Sequence, residues 1–193
     1  MITRDELLQK ASPLARRQHE RNLSIEKALP IEPGVLINGQ GRCAVSTYRM
    51  GLCRMANNGC AAIAVYNAMI LLGHKPDMQA IVLGLRMYGL WLGGLFGVNP
   101  YRLEKCLDKM RIPCMRAKDY RDFDTVSKAV GACILCYRIK GFPISPMHYV
   151  AVQYRDGGYT VCNLYNNARR TYRMGSLEEL CPESRFVAGF YIN

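Results

Sequence analysis

The amino-acid sequence predicts an α+β fold, a helical first half packed on a twisted antiparallel β-sheet. Three observations predict it. Helix-type apolar spacing and helix-capping residues dominate as far as "NPYRLEKCLDKMRIP". Strand-type runs dominate from "ACILCYRI" onward, and "RDGG" joins "MHYVAVQY" to "YTVCNLY" as a hairpin, so consecutive strands pair antiparallel. Helices followed by strands exclude the alternating order that builds a parallel sheet.

The elements follow in order. Thr3 to Lys27 reads as a charged helix with a sparse apolar stripe at Leu7, Leu8 and Leu14, interrupted by Pro13, and Pro30, Pro33 and Gly34 end regular structure after it. Residues 1–45 are therefore expected to form an N-terminal basic arm and residues 46–193 the main domain. "GRCAVSTYRMGLCRMANNG" leads into a helix that begins at Cys60. Among Ala61 to Leu72 only Tyr66 and Asn67 carry polar groups, so this helix lies in the middle of the protein, and Gly73 ends it.

A second helix begins near Pro76, and a third has Asn99 as N-cap and Pro100 at its first position, with Leu103, Cys106, Leu107 and Met110 at helical spacing. A short amphipathic stretch, "DFDTVSKAV", precedes the strands, and "SRFVAGFYIN" supplies a closing one.

Composition narrows the function. The chain has 193 residues, half of them hydrophobic, enough for a core. Its net charge of +11 is dispersed, with no zinc-finger spacing and no RNA-reading aromatic motif, so no nucleic-acid partner is expected. The apolar run Ile81 to Val98 contains Arg86 and five glycines, which argues against a membrane span. The charged opening "MITRDELLQKASPLARRQHERN" lacks the apolar stretch of a signal peptide, and the nine cysteines show no disulfide framework. A reduced, cytoplasmic setting is expected.

The chemistry centres on Cys60. A thiol attacks a carbonyl carbon as thiolate, and its ordinary pKa of about 8.5 falls to ~3.5–7.5 at a helix N-terminus or beside an imidazolium. Of the three histidines, His19 is in the arm, and His74 lies beyond the far end of the Cys60 helix, roughly 20 Å from its mouth. His148, at the start of a strand, remains as the general base. The hairpin brings residues near 163 opposite His148, which makes Asn163 the residue to orient the imidazole, with Asn166 as the alternative.

A cysteine at the mouth of a buried helix in an NGC context, a strand beginning HYVAV and an Asn after the next hairpin resemble the papain-like cysteine peptidases. Within them the chain is most similar to the bacteriocin leader-processing, double-glycine type, over roughly Tyr48 to Asn193. The resemblance implies a papain-like fold and peptide-bond hydrolysis through an acyl-thioester on Cys60, with His148 as base then acid, Asn163 as orienter, a peptide or protein substrate and no cofactor or metal. Two positions depart from that family. Where members carry a glutamine six residues before the cysteine as oxyanion-hole donor, this chain has Arg54, and Asn58 or Asn57 is left for that role. Asn163 stands where the leader-processing type has Asp, as papain itself has Asn.

Each of these residues also has a plainer reading. Cys60 alone is a packing residue, His148 a half-buried histidine and Asn163 a strand end. Acyl transfer uses the same thioester, and a catalytically silent peptide-binding module would keep the same fold. Cys133 and Cys136 form a CxxC within a strand, where residues three apart face opposite ways, so no zinc site is expected. Gly93, Gly94 and Gly97, around Trp91 and Phe96, read as a tight turn or as a loop bordering a substrate cleft.

Overall fold

The structure, a computed structural model, describes residues 1–140 and 146–192. Two helices open the chain, α1 (Arg4–Lys10) and α2 (Pro13–Ala28). The break between them follows from Pro13, which stands at the first position of α2, with the Ser12 hydroxyl capping Ala15 N–H. This segment is tied into the body of the protein. Ile2, Leu7, Ala11 and Ala15 are buried in the same core as the Cys60 helix, and Ile2 N–H donates to the Met110 carbonyl at 2.8 Å. Asn22 is buried and bonds both main-chain groups of Arg49, accepting from its N–H at 2.8 Å and donating to its carbonyl at 2.9 Å.

A two-stranded hairpin, β1 (Arg49–Met50) and β2 (Cys53–Arg54), leads into the one-turn helix α3 (Met55–Asn58) and then α4 (Cys60–Leu71). Helix α4 is apolar on every side and buried from Cys60 to Met69. Its one buried carboxamide, Asn67, is satisfied from outside the helix, exchanging two 2.8 Å bonds with the main chain of Ile37.

Helix α5 (Met78–Tyr88) starts behind Asp77, whose carboxylate accepts from Gln79 N–H at 2.9 Å. Helix α6 (Leu103–Lys109) begins later than the sequence predicts. Asn99 caps a turn instead, its side chain accepting from Tyr101 N–H, so the helix starts after Arg102. Among the described residues no helix is long and apolar enough to cross a membrane.

The second half contains β3 (Cys114–Arg116), α7 (Tyr120–Val126), β4 (Ala132–Arg138), β5 (Met147–Arg155), β6 (Gly158–Cys162), β7 (Tyr172–Met174), α8 (Leu177–Leu180) and β8 (Phe186–Ile192). The strands form one antiparallel sheet in the order β3-β8-β4-β5-β6-β7. The "RDGG" turn has positive φ at both Asp156 and Gly157, the geometry that matches the twist of the strands it joins.

Strand β6 stops at Cys162, three residues short of the apolar run, because Asn163 turns into the left-handed region at φ 59. The sheet is buried on both faces. Ile134, Cys136, Tyr149 and Ala151 meet the helices, whereas Cys133, Leu135, Val150 and Val152 meet Phe123, Leu177 and Leu180. Cys133 and Cys136 therefore point to opposite sides.

Candidate active site

Cys60 is placed by a tight corner between α3 and α4. Gly59 forms that corner, and a side-chain carbon there would come within 2.6 Å of Met55 Cβ and 2.7 Å of the Met55 carbonyl, so only glycine fits. The corner delivers Cys60 to the first turn of α4, 8% exposed. It is the thiol that lines an apolar cleft of about 680 Å³. Trp91, Leu95, Phe96, Val98 and Tyr101 form one wall of that cleft, and Met147, Tyr149 and Val187 the other, with Arg138 and Asn57 among the polar lining groups.

The glycine-bearing loop between α5 and α6 is held rather than loose. Asn58 donates one amide hydrogen to the Gly94 carbonyl at 2.8 Å and one to the Met50 carbonyl at 2.9 Å. Both of its donors are thereby occupied. Asn58, expected as an oxyanion-hole donor, lines the cleft but spends its hydrogens on the main chain of the wall, and its exposed neighbour Asn57 lines the cleft beside it. Tyr149 ties the opposite wall to the same loop, its hydroxyl donating to the Val98 carbonyl at 3.0 Å.

The strand parity of β5 places Tyr149 on the α4 side and His148 on the other. The His148 ring packs edge-on to Tyr137, with centroids 5.9 Å apart, and its Nε2 lies 2.7 Å from the Asn163 carbonyl oxygen. A carbonyl only accepts, so Nε2 carries the proton and Nδ1 holds the lone pair of the neutral ring.

His148 and Asn163 are thus brought together, but through the Asn163 main chain. The Asn163 carboxamide oxygen instead accepts from Gln40 N–H at 3.0 Å, and Asn163 N–H donates to Asn38 at 2.7 Å. Asn166 is exposed, and its carbonyl accepts from Gly41 N–H.

Among the described residues no hydrogen bond joins Cys60 to His148. Burial pushes the Cys60 thiol up to about 11, against the opposing pull of the main-chain N–H groups of Tyr149, Ala61 and Cys60 itself. Burial likewise holds the His148 imidazole below its ordinary value, partly offset by the Asn163 carbonyl. The resting site is therefore a neutral thiol and a neutral imidazole. The sequence-based expectation of a depressed thiol is corrected here, because loss of solvation outweighs the helix-terminal amides.

Two contributors escaped the sequence reading. Asn38 and Gln40 lie in "INGQG", within the segment read as an arm, yet they fix the left-handed turn at Asn163. Their polar, glycine-spaced composition was the available signal. No group of three metal-ligating side chains occurs among the described residues.

No protein-family model matches the chain, and no curated protein matches it. Among solved structures it is similar to the peptidase domain of Streptococcus ComA, described as a bi-functional ABC transporter involved in a quorum-sensing pathway. The two share 13% identity at a TM-score of 0.47, with 74% of this chain and 95% of that one covered.

Proposed function

We propose that this chain is a thiol-dependent hydrolase of the papain-like type, a cysteine peptidase that cleaves peptide bonds in a peptide or protein substrate in the cytoplasm. The observation that carries this reading is Cys60 itself, a helix-mouth thiol that opens into an apolar cleft against β5, the strand on whose opposite face the tautomer-fixed His148 sits. Sγ attacks the scissile carbonyl as His148 Nδ1 takes the thiol proton. The C–N bond breaks as that proton passes to the leaving amine, and water then releases the acyl group from sulfur.

The Asn163 carbonyl holds Nε2–H, and Asn57 with the Cys60 main-chain N–H faces the developing oxyanion. Proton transfer requires about 2.6–3.2 Å between nitrogen and the proton's donor, so catalysis requires the start of β5 to rearrange and bring the His148 ring round to the Cys60 side. Residues 46–193 carry the cleft in this scheme, and residues 1–45 brace it through Asn38 and Gln40.

A second reading is a silent peptide-binding module, and the raised thiol together with the missing Cys60–His148 hydrogen bond favours it. A peptidyl acyloxymethyl ketone decides between them. The hydrolase reading expects covalent modification mapped to Cys60 and lost in His148→Ala; modification that spares Cys60, or that His148→Ala leaves unchanged, refutes it.

A further inference from the structure

The cleft wall carries more exposed apolar surface than a cleft uses. Leu92 is 63% exposed and Leu52 61%, and neither lines the cleft that Trp91, Leu95 and Phe96 border. Leu52 sits at the tip of the β1–β2 hairpin, which docks on the loop by a 2.9 Å bond from its N–H to the Gly93 carbonyl. Hairpin tip and loop therefore present one outward cluster.

That cluster is fixed in a costly conformation. Leu92 has φ 45, in the region non-glycine residues avoid, and Gly93, Gly94 and Gly97 follow at φ 67, 98 and 71. Asn58 and Leu52 pin the loop from beneath, so the leucines are held outward in water where burial would be favourable.

The hairpin that carries Leu52 is basic. Between residues 33 and 103 the chain has a single acidic residue, Asp77, and that carboxylate is paired with Arg4 at 2.8 Å. Arg49 and Arg54 face each other across the hairpin whose tip is Leu52, Arg102 follows the cleft-lining Tyr101, and Arg138 lines the cleft. None of these four arginines takes part in an ion pair among the described residues. An apolar tip flanked by Arg49 and Arg54, neither of which is in an ion pair among the described residues, matches the interface of an anionic bilayer, where side chains enter the acyl boundary and guanidinium groups meet lipid phosphates.

We infer that the loop Trp91–Gly97 and the Leu52 hairpin tip form a peripheral docking surface for an anionic lipid membrane, seating the cleft beside the bilayer. The surface shares Trp91, Leu95 and Phe96 with the cleft, whereas Leu52 and Leu92 lie outside it, so leucine variants test docking separately from the hydrolase reading.

Trp91 is the chain's one tryptophan and reports on the loop directly. The full chain is mixed with vesicles of phosphatidylcholine alone, or of phosphatidylcholine with phosphatidylglycerol, and both Trp91 emission and co-flotation are measured. Expected are a blue shift and flotation with the anionic vesicles, a partition at least about tenfold weaker in Leu52→Ser/Leu92→Ser, and a smaller anionic preference in Arg54→Gln/Arg102→Gln.

Far-UV circular dichroism confirms that the variants are folded. Absence of flotation overturns the inference, as does flotation without a Trp91 shift or indifferent to the leucine substitutions. A Trp91 shift that depends on protein concentration without vesicles also overturns it, because a second copy of the chain then covers the surface.

Discussion

Protonation of Cys60 is the property most open to direct measurement. Burial places its thiol at about 11, well above the range of an ordinary thiol, so at neutral pH its thiolate is rarer than that of an ordinary thiol by a factor of at least about 100. Alkylation proceeds through thiolate. Iodoacetamide should accordingly modify Cys60 at least about a hundredfold more slowly in the folded chain than in the urea-unfolded chain, with the rate rising about tenfold per pH unit up to pH ~10. Peptide mapping by mass spectrometry over a time course at pH 6 to 10 gives the rate for Cys60 separately from the other eight cysteines. His148→Ala should leave this profile where it is, because the resting imidazole is neutral and shares no proton with sulfur. A rate for Cys60 that is already on a plateau below pH 7, and that falls in His148→Ala, would refute the reasoning and establish a preformed thiolate–imidazolium pair.

Other perturbations follow from the same contacts. Gly59→Ala puts a methyl group against Met55 and should cost about 1–3 kcal/mol in urea unfolding, or displace Cys60 and abolish its modification by the peptidyl probe. Asn22→Ala leaves both main-chain groups of Arg49 without their partners, and a loss of about 1–3 kcal/mol in the same unfolding assay is expected. His148 and His19 are both held below the ordinary 6.5 by burial, so the unfolded chain binds their protons more readily. Their contribution to stability is full above about pH 6.5 and is lost as the pH falls through the lowered folded values, which a series of thermal melts from pH 7.5 to 4.5 should show.

Local chemistry was readable and long-range chemistry was not. "RDGG" announced its hairpin because a two-residue turn needs positive φ at both positions, a demand that Asp156 and Gly157 meet by themselves. The Cys60 helix was equally plain, since a run that is apolar on every face has no choice but burial. Asn163 meets His148 through its carbonyl and not through the expected carboxamide, and its left-handed turn is held by Asn38 and Gln40, more than 120 positions earlier, which no local pattern encodes. For the same reason Asn58 looked available as a donor. Only the folded loop, with the carbonyls of Met50 and Gly94 converging on it, occupies both of its hydrogens. The raised thiol was hidden too, because spacing reveals a helix terminus but not how much water reaches it.

The outermost strands of the sheet are three residues each, β3 at one side and β7 at the other. On β3 the Arg116 N–H is already taken by Glu104 at 2.9 Å. A stray strand from another molecule would find too few free main-chain groups to zip onto, so fibril-like growth by sheet extension has little foothold here. The apolar surface that this architecture leaves open is thus the leucine-tipped loop and not a strand edge, so lipid or mild detergent at that loop, rather than any change to the strands, governs how the protein handles in solution.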